Sequence, residues 1–298
     1  MMISSCLLMF LWIQTPAGAA IDVSPFRYSR EIPAAPPGLS NIPLDAAVLA
    51  HSRSDQADLR IVDAGNQQIP YVLERRGDVL SVPLNLLLPE NEVPPPRHSY
   101  YRLVLPFENL PAAKLVMTTA ERVFQRSILV RVKRDPPNPR SEQSWETVAN
   151  ATWLHKDSAA AAPPLALDLR AGLGTTEMIV DVDEGDNRPL ALGDFQLELP
   201  AYQLRFFYPE DGPLTLLYGH DALSAPRYDL ELLAPQLTGA ASNELALGEE
   251  RMAPAPQDDE RAKTVLWIAL VVAVVAVLAM LIRLLRAQRT ESGGSTSE

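Results

Sequence analysis

The chain has 298 residues, a net charge of −11 at pH 7 and one cysteine, Cys6. The acidic balance argues against a nucleic-acid partner, because the phosphate backbone binds basic surfaces. Cys6 lies in a segment that we expect to be removed, and a mature chain without a thiol has no disulfide, thiol catalysis or cysteine-based zinc site.

Residues 1–20 are interpreted as a signal peptide. The apolar run CLLMFLWI at 6–13 is too short to cross a bilayer, and the small residues AGA follow at 17–19. Cleavage after Ala19 or Ala20 is therefore expected. No Lys or Arg precedes the apolar run, and a buried N-terminal strand or helix is the alternative interpretation.

Residues 21–93 are predicted to form an N-terminal β domain. Apolar and polar residues alternate at 26–30 and 59–62, and the turn sequence DAGN at 63–66 leads into a second apolar run at 69–73. Another strand is predicted at 79–88. Three consecutive prolines at 94–96 remove three amide donors, which favours a domain boundary over a strand.

Residues 97–236 are predicted to form a second β domain. Period-two alternation recurs at 100–105, 128–133, 165–170, 178–183 and 195–199, and further strands are predicted at 145–154, 204–208, 213–218 and 228–233. One apolar and one polar face per strand predicts antiparallel sheets packed as a jelly-roll-like β-sandwich. The fold class is thus mainly β, with two sandwich parts and no amphipathic helix of any length.

The C-terminal part is interpreted as a stalk, a membrane helix and a tail. Residues 237–263, rich in Ala, Gly, Pro, Asp and Glu, are predicted to be a flexible stalk. Residues 265–282 contain no charge, amide, Gly or Pro, and as a helix they would cover about 27 Å, close to the thickness of a bilayer core. We therefore predict a transmembrane helix at 264–282 and a tail at 283–298.

Orientation follows from the predicted signal peptide, because three basic residues flank the membrane helix on each side. The protein is expected to be single-pass in a bacterial inner membrane, with its N-terminal part in the periplasm and its C-terminus in the cytoplasm. The part from Lys263 onward carries +2, so the exported segment carries −13. One helix would contact membrane lipid.

Several hairpin motifs resemble a known family. They are RYSR at 27–30, DLRIVD at 58–63 with IPY at 69–71, and PLTLLYG at 213–219 with APRYD at 225–229. Together they resemble the bacterial domain-of-unknown-function family 3999, which implies an exported, single-pass, β-rich envelope protein. Separately, WETV at 145–148 and DNRPL at 186–190 are similar in spacing to galactose-binding-like jelly rolls.

One acidic cluster is a candidate metal site, although no motif for catalysis or cofactor binding is present. The four histidines lie far apart, without a metal-ligand spacing. Oxygen ligands clustered in a loop suit Ca²⁺. The candidate ligands are Asp181, Asp183, Asp186 and Asn187. The spacing differs from an EF-hand, and an acidic strand end with a solvated turn is the ordinary alternative.

Aromatic residues offer a candidate ligand surface, although aromatics in sandwiches are usually core. Phe207 shares a nominally polar strand face with Arg205, which indicates a contact surface. The aromatics that would stack on a glycan are Trp145, Trp153, Tyr202, Phe206, Phe207 and Tyr208.

Small residues in the predicted membrane helix suggest helix packing. Ala269, Ala273 and Ala276 follow an i, i+4, i+7 spacing that would admit a second helix, although alanine is common in membrane helices.

The sequence thus predicts a non-enzymatic envelope protein that acts through protein contacts, with an inner-membrane protein as partner. A tethered carbohydrate-binding module, with or without calcium, is the alternative, and an unrecognised hydrolase is a third.

Overall fold

The computed structural model describes residues 18–87, 94–134, 144–210 and 212–253, and in the C-terminal part residues 267–272, 274, 277 and 280. Contacts group the chain up to Ala253 into one compact unit and the chain from Pro254 into a second. The elements are β1 (Tyr28–Ile32), β2 (Gly38–Pro43), α1 (Ala46–His51), β3 (Arg60–Val62), β4 (Gln68–Ile69), β5 (Tyr71–Pro83), β6 (Asn85–Leu87), β7 (His98–Val104), β8 (Ala113–Thr119), β9 (Phe124–Arg134), β10 (Ser144–His155), β11 (Leu165–Leu169), β12 (Glu177–Asp183), β13 (Leu192–Tyr208), β14 (Leu214–Tyr218), a 3-10 helix (Asp229–Leu233), α2 (Ala234–Leu237), β15 (Asn243–Glu244) and β16 (Glu250–Met252).

The strands form three sheets, which confirms the prediction of a mainly β protein. Sheet A has the order β16-β1-β14-β3-β4, and sheet C has the order β10-β9-β12-β7-β6. Sheet B has the order β11-β8-β13-β2-β15, with β5 also paired to β13. Neighbouring strands are antiparallel, except that β15 runs parallel to β2.

Strand β13 is 17 residues long and changes its buried face along its length. Buried apolar side chains such as Leu199 occupy odd positions from Phe195 to Ala201, and buried apolar side chains such as Phe206 occupy even positions from Leu204, where the polar Gln203 and Arg205 are buried as well. Successive side chains point to opposite faces of a strand, so the apolar side chains of the two halves pack on different faces of sheet B. The register of β13 against β5 shifts between Pro200 and Tyr202, where residues 76–78 of β5 face the single residue Ala201, and burial of even positions begins just after this shift, at Leu204.

One hydrophobic core includes side chains from all three sheets. Ile61 comes from sheet A, Leu197 from sheet B and Val180 from sheet C, and each is almost completely buried. The rings of Tyr101 in β7 and Phe195 in β13 lie 5.6 Å apart, which places sheet C against the first half of β13.

A buried carboxylate joins the loop before β3 to the end of β14. Asp58 Oδ2 accepts hydrogen bonds from the backbone amides of Gly219 (2.7 Å) and His220 (3.1 Å), and Oδ1 accepts one from the amide of Arg53 (2.9 Å). The Asp58 side chain is fully buried. The motif at 58–63 that carries the family resemblance therefore has a structural role at this point.

The predicted boundary at 94–96 does not separate two structural units. Strands β2 and β5, from the predicted first domain, pair with β13 from the predicted second domain. Strands β1 and β3 pair with β14 in the same way. Pairing between strands so distant in sequence leaves no local pattern, which is why proline composition alone misplaced the boundary.

The stalk predicted at 237–263 does not hold for its first part. Strand β16 pairs with β1, and the amides of Leu245 and Gly248 donate to the carbonyls of Asn41 (2.9 Å) and Glu31 (2.8 Å). Sparse leucines anchor this segment, because Leu237 is buried and Leu245 packs against the core. Residues 254–263 lie outside the described part of the chain.

The predicted signal peptide and membrane helix fall largely outside the described residues. Of residues 1–20, only 18–20 are described, and the Gly18 amide donates to the Gln68 carbonyl at 2.7 Å. Within 264–282, residues 267–272, 274, 277 and 280 are helical and exposed. Among the residues that can be described, no helix is both long and apolar enough for a membrane crossing.

Candidate functional site

The predicted calcium ligands are not gathered around one point. Asp181 is 1% exposed in the central strand β12, where its Oδ1 lies 2.7 Å from Nδ1 of His98 and its Oδ2 lies 2.9 Å from Arg131. Asp186 pairs with Arg97 at the surface (3.1 Å). Within the described ranges, no group of three or more His, Cys, Asp or Glu side chains could hold a metal ion.

A guanidinium group holds the acidic loop instead. Arg126 Nε donates to Glu184 Oε2 at 2.6 Å, and both side chains are almost completely buried. Glu184 Oε1 accepts the amide of Leu190 (3.0 Å), and the Glu184 carbonyl accepts Nδ2 of Asn187 (3.0 Å). Asp183, also predicted as a ligand, is exposed and accepts the amide of Gly185. The positive charge that pairs with Glu184 in this loop is therefore the guanidinium of Arg126.

Sequence reasoning missed the pair between Arg126 and Glu184, although a signal for it was present. In β9, Arg126 has the same period-two phase as the buried Ile128 and Val130. A charged residue in the apolar phase of a strand needs a buried partner, because an unpaired buried charge is very costly.

The predicted contact surface at Arg205 and Phe207 is covered by the chain itself. Arg205 Nε donates to Glu74 (2.5 Å), and its Nη1 donates to the Ala240 carbonyl (3.0 Å). Burial opposes ionisation of Glu74, but hydrogen bonds from Gln203 and Arg205 outweigh it and lower the pKa of Glu74. Phe207 packs in a small cluster with Val72, Leu230 and Leu237. Phe207, on a nominally polar strand face, therefore makes a contact within the chain.

The other predicted glycan-stacking aromatics divide into two groups. Trp153, Phe206 and Tyr208 are buried in the core. Trp145 and Tyr202 keep part of their rings accessible to solvent, at the edge of sheet C and on a face of sheet B.

Two histidines are held by internal contacts. His51 stacks on Tyr28 at 4.3 Å, and its Nδ1 lies 2.7 Å from Glu250 Oε1. The same Glu250 oxygen accepts the hydroxyl of Tyr218 at 2.8 Å. Burial, followed by this hydrogen bond, raises the pKa of Tyr218. His220 packs edge to face against Phe26 at 5.4 Å.

Strand β10 lies at the edge of sheet C and has the features of a contact surface. It pairs with β9 over its 12 residues, and none of the described strands pairs with its other side. Two large apolar side chains on β10 face solvent, Trp145 at 36% and Leu154 at 58% exposure. An edge strand offers unpaired amides and carbonyls to another extended chain.

Two features restrict the use of this edge. The register of β10 against β9 shifts between Thr147 and Ala149. Near this shift, Glu146 accepts hydrogen bonds from Arg134 (2.5 Å) and Arg170 (2.8 Å), and the bond from Arg134 lowers the pKa of Glu146. A bulge and paired charges both limit edge-to-edge association. The part of the edge from Ala149 to His155 is therefore the more accessible part.

The predicted helix-packing alanines belong to the second unit. Ala269 is helical and exposed, and Ala273 and Ala276 lie outside the described residues.

Comparisons with known proteins do not identify a family. No family model and no curated protein matches the chain. A chain from the structure of infectious bursal disease virus Gx strain is 9% identical with a TM-score of 0.16, and the match covers 83% of this chain and 75% of that one. A TM-score this low carries no argument about fold. The resemblance to domain-of-unknown-function family 3999 stays a prediction.

Proposed function

We propose that the protein is a non-enzymatic, single-pass protein of the bacterial inner membrane whose periplasmic part acts through protein contacts. The observation that carries the proposal is the unpaired side of β10, which displays Trp145 and Leu154 to solvent. Backbone groups on such an edge give affinity for an extended segment, and pockets for alternate side chains give specificity. The partner would supply an extended segment with apolar side chains.

The arrangement of the core supports a finer description of the fold. Sheet C and the first half of β13 would form one jelly-roll-like sandwich, and sheet A with the second half of β13 would form the other. The change of buried apolar face along β13 supports this arrangement, because one strand then supplies apolar side chains to both sandwich parts of the continuous core.

The environment of the buried acidic groups supports a non-enzymatic role. Asp58, Asp181 and Glu184 all direct their carboxylates at amides, histidine or arginine of the protein. Groups whose hydrogen-bonding capacity is used within the fold serve stability more directly than proton transfer.

Photo-crosslinking from β10 tests the contact. A photoreactive amino acid placed at the exposed positions Asn150 and Thr152 should give a discrete adduct with one membrane protein in native membranes. The same group at Asn243, exposed on the edge strand β15, is the matched control. The Leu154→Ala substitution, in the more accessible part of the edge, should reduce the β10 adduct. Equal labelling from β10 and Asn243 would contradict the proposal.

Topology is tested with a reporter that is active only outside the cytoplasm. Fused after Glu298 it should be inactive, because the apolar run at 265–282 is proposed to leave the C-terminus inside. The same reporter fused after Ala253 should be active. An active fusion at Glu298 would refute the proposed orientation.

A second candidate function is a membrane-tethered carbohydrate-binding module. It is favoured by a groove on sheet B that includes Tyr202, a predicted stacking aromatic whose ring is partly accessible. Calcium is not needed to order the acidic loop, because Arg126 already pairs with Glu184.

A further inference from the structure

A groove opens on one face of sheet B, beside the register shift between β5 and β13. It has a volume of about 630 Å³ and is lined by side chains from β5, β8, β11 and β13. This volume lies within the range of roughly 300–1,000 Å³ that is usual for ligand sites. Its walls include Pro111, Pro200 and Val79, which is 51% exposed.

Four charged side chains line this groove in a defined order. Lys114 of β8 lies opposite Asp168 of β11 on one side and opposite Glu198 of β13 on the other. Arg75 of β5 lies opposite Tyr202 of β13, next to the register shift. Lys114 therefore lies between Asp168 and Glu198 on three adjacent strands, and Arg75 lies beside Tyr202.

These five side chains make no hydrogen bond or ion pair with the rest of the described chain. Elsewhere in the described fold many arginine and acidic side chains are paired, for example Arg126 with Glu184 and Arg205 with Glu74. A group of polar side chains with unused donors and acceptors in one concave place is typical of a site that binds a polar ligand.

We infer that this groove binds a neutral oligosaccharide. Two cations and two carboxylates give the groove no net charge, so neither an anion nor a cation is favoured overall. A sugar hydroxyl both donates and accepts hydrogen bonds, and it can therefore use an ammonium and a carboxylate placed side by side. Tyr202 and Pro200 present apolar surface to the C–H face of a sugar ring. The inference rests on the second candidate function and does not depend on β10.

Calorimetry with the full-length protein in a detergent without a sugar headgroup tests the inference. The probes are the neutral tetrasaccharides maltotetraose, cellotetraose and tetra-N-acetylchitotetraose, with tetragalacturonate as a charged comparison. At least one neutral probe should bind, and tetragalacturonate should bind no more tightly, because a groove without net charge gives an anion no advantage. Tighter binding of tetragalacturonate than of every neutral probe would refute the ligand class.

Substitutions locate the binding to the groove. Lys114→Met, Asp168→Asn and Glu198→Gln should each weaken binding about tenfold or more. Lys114→Met removes a charged donor, and the other two substitutions replace a charged acceptor with a neutral amide. These residues are unpaired and at least partly exposed, so the melting temperature should not change. Lys133→Met, on sheet C, is the matched control that should bind normally.

The outcomes separate the inference from the function on which it rests. Binding that the three groove variants leave unchanged would refute this groove and retain a carbohydrate-binding module with its site elsewhere. Absence of binding by all three neutral probes would refute both.

Discussion

Replacing Asp58 with alanine should lower the free energy of unfolding by about 3–5 kcal/mol. The change leaves three backbone amides without their acceptor, and each unsatisfied buried donor costs about 1–3 kcal/mol. Gly219 and His220 would lose the contact that fixes the end of β14 to the loop before β3. Urea unfolding followed by circular dichroism measures the effect.

Two further substitutions test whether the buried carboxylate of Asp58 is responsible for the loss of stability. Asp58→Asn should also be destabilising, because the amide keeps one acceptor oxygen and turns its NH₂ group toward a backbone donor. Asp221→Ala is the surface control, since Asp221 pairs with Arg27 where both side chains are well exposed. Equal stability of Asp58→Ala and Asp221→Ala would show that the buried carboxylate has no structural role.

Replacing Glu184 with alanine should lower the free energy of unfolding by about 3–5 kcal/mol, because it leaves the buried Arg126 without its partner. The double variant Arg126→Met with Glu184→Leu should be more stable than Glu184→Ala, since no charge is then buried. Asp186→Ala, at the exposed pair with Arg97, is the control and should have little effect. Thermal unfolding gives the ranking.

Thermal unfolding with added Ca²⁺ or a chelator tests whether the Arg126 guanidinium or a metal ion orders the acidic loop. Adding Ca²⁺ or a chelator should leave the melting temperature of the wild-type protein unchanged, because Arg126 occupies the position next to the carboxylate. A rise in melting temperature with Ca²⁺, together with a neutral Glu184→Ala, would restore the calcium hypothesis.

Alternation in the sequence predicted most of the strands, but the strand predicted at 228–233 is wrong, because Asp229–Leu233 form a 3-10 helix. Alternation also failed where tertiary contacts decide. Residues 195–199 and 204–208 were predicted as separate strands, and the apolar phase changes from odd to even positions between them. The structure joins them in β13, and the phase change reflects two different buried faces. A break in periodicity can therefore mark a change of packing partner as well as a turn.

Short elements held by single contacts were also beyond the sequence. Helix α1 has six residues, too few for a periodic pattern, and its N-terminus is capped by the Asp45 side chain, which accepts the amide of Val48. Strand β16 has three residues and lies in an acidic, proline-bearing context. Its place beside β1 depends on Glu250, whose contacts with His51 and Tyr218 come from distant parts of the chain.

The candidate groove could not be located from the sequence either. Lys114, Asp168 and Glu198 are up to 84 residues apart, and only the register of three strands places them in one row. In the sequence, each of these residues is an ordinary charged residue at a polar position of an alternating strand. Tyr202 was selected as a candidate aromatic, and the arrangement around it came from the structure.

The 17-residue strand β13 also makes the two halves of the fold thermodynamically interdependent. Its hydrogen bonds extend from β8, along β5, to β2 without interruption of the chain. Melting of either half would remove strand partners from the other, so the two halves lack independent stability. Cooperativity of this kind spreads the effect of a local substitution, such as one at Asp58, over the entire β region.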